Sequence, residues 1–490
     1  MTAELPDLNY QLTVIGAGPA GMTAAIEAAR LGLKVAVFDM QPTPGGQIYK
    51  NLEYNSALRA HHGKVFGDSY FEGLSLISEF RRSKIDYFPL STVWHLRADG
   101  AVGVTVKNTT HMIRAEHVLV ATGAMERPTP FPGWTIPGVM GAGAAQTLLK
   151  SSHAIPSGAT AIAGSGPLAI LVAYQFLQMG LDLRGLFLTS KPAMRPAGIP
   201  AILKAWPERN EVFKGMNWLI SLSRRVPVYW GIDRLSATGR DSIEAVSFHA
   251  REVEHRIPVQ TLLVHDGIIP LFELLADAGC RFDWFEADSY WKPRTNEWGQ
   301  TTCPGIFAAG DVQGIGGAKA ARVRGAMAAL EIATLTKKIS QQERDALARS
   351  MRNRLGRHLS LRPLMLSQFP SGLGARLPSD DTIVCRCEEV TAQTIRETQH
   401  AGASTINQMK AVTRCGMGPC QGKMCASTAS RIMASSDISG AMHVGSYRAR
   451  FPGRPLSLGQ LARMEISPDF LHNRLSDPEI DKPQLSELAR

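Results

Sequence analysis

Residues 11–39 read QLTVIGAGPAGMTAAIEAARLGLKVAVFD. The short apolar run 11–15 reads as a strand, and G-A-G-P-A-G follows it at once, with Gly16, Gly18 and Gly21 at fixed spacing. The alanine-rich stretch TAAIEAARLG then reads as a helix that Gly32 ends, and a second apolar run closes on Asp39. Strand, glycine turn, helix, strand and acid in that order are the parts of a dinucleotide-binding βαβ unit. Gly16 makes the tight turn, Gly18 lets the backbone approach a pyrophosphate, and Gly21 lets helix and strand pack closely. Pro19 and Ala20 open a helix whose N-terminal N–H groups and dipole suit phosphate. Asp39 is placed to accept hydrogen bonds from a ribose hydroxyl. A lone G-x-G-x-x-G is weak evidence; five parts in sequence make a nucleotide site the reading to test.

The whole chain has 490 residues, 44% of them hydrophobic, enough for roughly three globular units. No stretch offers the roughly twenty apolar residues that cross a bilayer, and the first ten residues lack a basic stretch followed by an apolar core, so a cytoplasmic address with no transmembrane segment is expected, with membrane association through an electron acceptor as the alternative. Net charge is +10, with the Lys and Arg scattered, so no nucleic-acid track is expected. Five of the seven cysteines, Cys385, Cys387, Cys415, Cys420 and Cys425, crowd into one segment, while Cys280 and Cys303 stand apart. In a reducing compartment such a cluster points to metal ligation or catalysis.

Residues 159–180, ATAIAGSGPLAILVAYQFLQMG, repeat the opening plan with Gly164, Gly166 and Ala169. The strand that follows, LRGLFLTS, ends in Thr189 and Ser190, with neither an acid for a ribose nor a basic cluster for a 2′-phosphate. A retained fold without cofactor is therefore preferred here over NAD(P) binding. No cysteine precedes Cys280, so the redox pair of a disulfide reductase is missing; the early loop reads TPGGQIYKNLEYN, with Gly45, Gly46 and Gln47 turning back toward the nucleotide. No Ser–His–Asp set, H-E-x-x-H or convincing acid–base pair is present, so no catalytic residue is assigned. His61 and His62 read as solvent-facing, and Arg127 as a pin for the domain crossover.

Two distant segments, VLVATGAMERP (residues 118–128) and GIFAAGDVQGIGGAKAARVRGAMAA (residues 305–329), resemble those of two-dinucleotide-domain flavoproteins related to glutathione reductase. That resemblance implies FAD rather than NAD in the first site. It adds Ala121, Thr122 and Gly123, then Gly310 and Asp311 at the ribitol chain, then Gly317 and Ala318 opening a helix toward the flavin. Without the resemblance Asp311 reads as a turn residue capping the next helix.

From Asp380 the chain runs DDTIVCRCEEVTAQTIRETQHAGASTINQMKAVTRCGMGPCQGKMC, with helical patterns over 391–401 and 404–413 between a C-x-C turn and a glycine-rich cysteine loop. Such thiols suit zinc or an iron–sulfur cluster; a C-x-C pair is a strained chelate for one tetrahedral ion. The segment is similar to the bacterioferritin-associated-ferredoxin type of 2Fe-2S domain, in the variant with the loop G-M-G-P-C-Q-G-x-x-C. This similarity implies Cys385, Cys387, Cys420 and Cys425 as ligands, with Cys415 spare or an alternative.

The layout therefore is α/β: two glutathione-reductase-like dinucleotide-binding domains plus a small helical 2Fe-2S domain. Its expected boundaries are 1–150 and 269–335 for the FAD unit, 151–268 for the second nucleotide fold, 336–378 for a helix and linker, 379–430 for the cluster module and 431–490 for a C-terminal tail, whose Arg- and Pro-rich part after residue 440 is expected to wrap a partner. Through GAGPAG, ATGAMERP, GIFAAGD and TRCGMGPCQG it resembles the large, A-type subunits of opine oxidases (octopine and nopaline type). The B-type subunit of hydrogen cyanide synthase and the alpha subunits of dye-linked proline and hydroxyproline dehydrogenases share the layout. The resemblance implies an electron-transfer subunit that works with a D-amino-acid-oxidase-like flavoprotein subunit and a small third subunit, and that passes electrons to a separate electron acceptor. It makes CH–NH oxidation of an opine to an amino acid and a 2-oxo acid the expected reaction, performed in the partner. The alternatives are a D-hydroxyproline, proline or glycine (cyanide-forming) dehydrogenase subunit, a self-sufficient NAD(P)H-dependent flavin reductase, or an iron–sulfur carrier with a structural flavin.

Overall fold

The computed structural model describes residues 9–58, 63, 65–191, 198–370, 372–373, 376–435 and 440–466. His61 and His62 lie outside them. The run 11–15 is the end of β1 (Asn9–Ile15), the second apolar run is β2 (Val35–Phe38), and the glycine-led helix between them spans Pro19–Arg30. All four residues of β2 are buried, as expected of a parallel strand covered on both faces. The first sheet continues with β3 (Asp86–Phe88), β4 (Ser91–Leu96), β5 (Ala101–Val106) and β6 (Thr109–Val120), in the spatial order β3-β2-β1-β6-β5-β4. β1 is parallel to β2 and β6, while β4 and β5 form an antiparallel extension. The strand Ile306–Ala308 returns to lie parallel beside β6. Register aligns Ile15 with Phe38 and with Val120, and Val120 with Ala308, so all four strands finish on one edge. The crevice beyond that carboxyl edge is where an open α/β sheet takes its ligand.

The chain leaves this unit through β7 (Ala124–Glu126) and builds a second, parallel sheet from β8 (Val139–Gly141), β9 (Thr160–Ser165), β10 (Leu183–Leu188), β11 (Val228–Trp230) and β15 (Thr261–Asp266), ordered β11-β10-β9-β15-β8. Between β11 and β15 a three-stranded antiparallel sheet, β12 (Asp233–Thr238), β13 (Ala245–Ala250) and β14 (Val253–Pro258), covers one side. Return is through β16 (Ile268–Pro270), antiparallel to β7. The second unit thus begins earlier than the sequence boundary at 151: β8 and the helix Ala142–Ser152 pack within it.

In the cysteine segment the two expected helices form at Ala392–His400 and Ile406–Thr413, each capped by a threonine, Thr391 and Thr405, whose hydroxyl accepts from the first turn. A third helix, Ala426–Ser435, completes the module around a core of Ile395, Ile406, Met409, Ile432 and Met433.

Two helices of the first unit approach unusually closely. Gly325, inside the returning helix Ala318–Leu335, faces the first turn of Pro19–Arg30, and a Cβ there would stand 2.2 Å from the Ala20 carbonyl oxygen. In an exposed helix Gly→Ala stabilises by about 1 kcal/mol. Here the backbone contact reverses the sign: Gly325→Ala is expected to cost roughly 1–3 kcal/mol, read as a lower thermal midpoint, and a variant as stable as the parent refutes the packing argument.

Candidate functional site

The aligned strand ends gather the sequence-predicted nucleotide residues in one place. Gly16 leaves β1 at a φ of +104°, and a Cβ on it would lie 2.6 Å from the Ala121 carbonyl oxygen at the end of β6. Gly46 folds back so that its own Cβ would come within 2.9 Å of Gly18 Cα. Two glycine stretches thus meet backbone to backbone and form a bare cradle. The helix Pro19–Arg30 begins behind it with Gly18 as its cap, no side-chain cap and no acid in its first turn. Its terminal N–H groups lack a side-chain partner, which is what a pyrophosphate requires. The returning helix also starts from a glycine, with Gly317 as cap and Ala318 first, but here an acid, Asp311, accepts from the Gly317 N–H.

Both acids support loops. Asp39 is buried, and its two carboxylate oxygens accept from Ala17 N–H at 2.5 Å and Gln41 N–H at 2.6 Å, so it braces the glycine loop; burial pushes its carboxyl above the usual range against those two bonds. Asp311 Oδ1 accepts from Gly316 and Gly317 N–H at 2.8 and 3.0 Å, the helix-capping role that its sequence alone implied. Thr122 Oγ1 donates to the Leu271 carbonyl at 2.6 Å, tying the end of β6 to the returning segment. Arg127 donates to the carbonyls of Ser289 and Asp288 and reaches the Asp288 carboxylate at 3.4 Å, so it pins the crossover.

Sequence reading missed Lys150. It sits buried on the helix Ala142–Ser152, and its Nζ donates to the carbonyls of Gln47 and Ile48 at 3.2 Å each, 5.6 Å from the Tyr70 ring centroid. Asn55 donates to the Lys150 carbonyl at 2.9 Å and to Tyr70 Oη at 2.7 Å. A buried ammonium therefore fixes the loop that carries Gly46 and Gln47. Nothing in the local sequence distinguishes this lysine from a solvent-exposed helical one.

At the second glycine turn a Cβ on Gly164 would lie 1.7 Å from the His265 carbonyl oxygen, so β9 and β15 are in close contact there. The mouth of this fold is covered by the chain itself. Ser165 Oγ donates to the Pro370 carbonyl at 2.9 Å, Gly372 and Leu373 N–H donate to Asp266 Oδ1 at 2.9 and 3.2 Å, and a Cβ on Gly372 would stand 2.0 Å from Thr189 Oγ1. The linker lies where β10 ends in Thr189, the position a nucleotide ribose would need.

The five cysteines of the module divide into two groups. Sγ atoms of Cys385, Cys415 and Cys425 lie within 4.8 Å of one another, all buried. Cys387, exposed, contacts Cys420, half-buried, beside them. The structure thus brings Cys415, which the family pattern leaves spare, into the inner group. Hydrogen bonds from Cys415 and then Cys425 hold the Cys385 thiol well below its ordinary range, and the same bonds push Cys415 and Cys425 up. One thiolate held by two thiols is a soft donor set that fits a metal or cluster, with release of the remaining protons on binding. Cys280 and Cys303 also come together, but burial pushes Cys280 up to about 12, which leaves it no nucleophilic thiolate.

The module is held against the rest of the molecule: Trp134 Nε1 donates to the Ile383 carbonyl at 2.7 Å, and Trp284 N–H meets Met442 Sδ at 3.4 Å. The tail is part of this attachment. Gln421 Nε2 donates to the Pro452 carbonyl at 2.6 Å, Gly453 N–H to the Trp94 carbonyl at 2.7 Å, and the strand Met464–Ile466 pairs with β6. Residues 446–466 therefore strap the module to the first sheet, while residues 467–490 of the expected tail lie outside the described residues.

The pyridine nucleotide-disulphide oxidoreductase model matches residues 10–333 and the sarcosine oxidase A3 domain model residues 379–464, so the module runs on through the strap, past residue 430. The A-type subunit of opine oxidase from Agrobacterium tumefaciens (strain Ach5) is 39% identical, covering 95% of this chain and 93% of its own length. This chain belongs to the family of opine oxidase A-type subunits. Hydrogen cyanide synthase subunit HcnB of Pseudomonas aeruginosa is 33% identical over 92% of this chain and 97% of its own. The crystal structure of L-proline dehydrogenase from P. horikoshii shares the fold, with a TM-score of 0.67 at 19% identity over 93% of this chain and 79% of that one. Membership makes the chain a flavin-dependent oxidoreductase acting on CH–NH groups and implies FAD as its cofactor. Among the described residues no helix is long and apolar enough to cross a membrane.

Burial lowers Lys150 from the ordinary 10.5 to about 8. Between these values the unfolded chain binds a proton that the folded chain does not, so this group makes stability rise with pH, by up to roughly 1.4 kcal/mol per unit. Denaturant unfolding at pH 8, 9 and 10 should show that rise in the parent and its loss in Lys150→Met; parallel curves for the two would refute the desolvation of the buried ammonium.

Proposed function

We propose that this chain is the electron-transfer subunit of a heteromeric opine oxidase, cytoplasmic, in which a D-amino-acid-oxidase-like flavoprotein subunit oxidises an octopine- or nopaline-type opine to an amino acid and a 2-oxo acid. A separate electron acceptor and a small third subunit complete the assembly. The observation that carries the reading is a buried thiol cluster strapped to the unit with the bare glycine cradle, in a chain with no nucleophilic thiol at the flavin loop. A soft-ligand site and a nucleotide site held in one frame suit electron passage.

In this reading Gly16, Gly18, Pro19, Ala20 and Gly21 receive the pyrophosphate, Asp39 the ribose, and Gly310 and Asp311 the ribitol chain, with Gly317 and Ala318 presenting a helix N-terminus to the ring. Lys150 holds Gly46 and Gln47 against the cofactor, and Ala121, Thr122 and Gly123 close the crevice. Cys385, Cys387, Cys420 and Cys425 hold a 2Fe-2S cluster, with Cys415 a fifth thiol beside it. When bound, FAD supplies two-electron and the cluster one-electron chemistry. The covered mouth of the second fold favours a scaffold role over NAD(P) binding.

Anaerobically prepared protein is expected to hold two irons per chain and to give a rhombic EPR signal on reduction; Cys385→Ser should lose both and Cys415→Ser keep them. Octopine or nopaline should reduce a dye only when the partner subunit is added, and micromolar NADH or NADPH should leave the flavin oxidised. Opine oxidation by the lone chain, or rapid bleaching by either nucleotide, would overturn the division of labour.

A further inference from the structure

One residue of the strap reaches the thiols. Tyr447 Oη stands 3.4 Å from Cys415 Sγ and 3.8 Å from Cys425 Sγ. A hydroxyl hydrogen can rotate toward either sulfur, and toward a sulfur that has lost its proton to a metal the phenol is the only possible donor of the pair.

The arrangement is built rather than incidental. The ring fits between Gly416 and Gly422 of the cysteine loop: a Cβ on Gly416 would stand 2.8 Å from Tyr447 Cζ, and one on Gly422 2.6 Å from Cδ2. Both glycines have positive φ, +91° and +85°, so loop conformation and bare backbone together make the slot. Asn407, on the helix Ile406–Thr413, brackets the tyrosine in sequence. Its Nδ2 donates to the Ser446 carbonyl at 3.0 Å and its Oδ1 accepts from Arg448 N–H at 2.9 Å. Lys410 Nζ lies 5.3 Å from the ring centroid. The backbone on both sides of the tyrosine and the ring itself are fixed, so the hydroxyl has a defined direction.

We propose that Tyr447 is a positioning residue that donates a hydrogen bond to the pair of sulfurs it faces, Cys415 at 3.4 Å and Cys425 at 3.8 Å, and thereby raises the reduction potential of the cluster. The inference rests on the cluster reading above. Reduction adds negative charge to the ligand sulfurs, a donor aimed at them stabilises the reduced state more than the oxidised one, and hydrogen bonds to sulfur are among the factors that set such potentials. The strap that ties the module to the first sheet therefore also sets how readily the module accepts an electron.

The test uses the full chain with its cofactors, comparing the parent with Tyr447→Phe, which removes the hydroxyl and keeps the ring in its slot. Iron content per chain is expected to be unchanged, while an EPR-monitored redox titration places the variant at lower potential, by about tenfold in the reduction equilibrium, or 59 mV for one electron. The same shift in a Cys415→Ser background identifies Cys425 as the acceptor. Should Tyr447→Phe fail to hold iron, a monofluorinated tyrosine at 447, a stronger donor of nearly the same shape, is expected to raise the potential above the parent's. Equal potentials with intact clusters, or no upward shift with the fluorinated residue, overturn the role of Tyr447 and leave the cluster standing. A parent protein without iron or an EPR signal overturns both.

Discussion

The close approach of the helices Pro19–Arg30 and Ala318–Leu335 is the contact on which the rest depends. They come from opposite ends of the FAD-binding unit's sequence and meet where Gly325 faces the Ala20 carbonyl and Gly310 faces the Ala20 side chain. That contact brings two helix N-termini, one without a side-chain cap and one braced by Asp311, to the same edge of one sheet. The strand registers then place Asp39, the Ala121–Gly123 turn and the Gly310–Asp311 turn around them. An added methyl at the crossing would separate the two halves of the cradle.

A second unit with the same plan also anchors the linker. Its glycine turn and parallel strands are intact, yet the residues after the long helices cross its mouth, where the Asp266 carboxylate accepts from the backbone of Gly372 and Leu373. Fold and ligand are separable in this way because a βαβ unit is stable through its buried parallel strands whatever lies beyond their carboxyl ends. Here the edge serves to anchor the linker that delivers the cysteine module.

Much of the frame was legible in sequence because it depends on local chemistry at fixed spacing. Gly16, Gly18 and Gly21, the helix stop near Gly32, and the two capped helices after Thr391 and Thr405 follow from residue types within a few positions of each other. What was not legible depends on contacts far apart in the chain. Lys150 meets Gln47 and Ile48 across about a hundred residues, the helix Ala142–Ser152 joins the second sheet because β8 pairs with β15, and the tail pairs with β6. Asp311 shows the intermediate case: its capping of Gly316 and Gly317 is local and readable, while any contact with a ribitol chain depends on a partner that sequence alone cannot position.

The same distinction explains the thiols. Spacing identifies a C-x-C turn and a glycine-rich loop as donors, but which sulfurs meet is set by packing of the helices between them, and that packing draws Cys415 inward alongside Cys385 and Cys425. It also draws in Tyr447, from a segment whose Arg and Pro content reads as a surface arm. Glycines at 416 and 422, needed for the turns of the cysteine loop, leave the space the ring fills. A loop that must be bare to fold tightly around its sulfurs is, for the same reason, open to one flat side chain from the strap, so attachment of the module and the polar environment of its sulfurs are fixed by a single packing event.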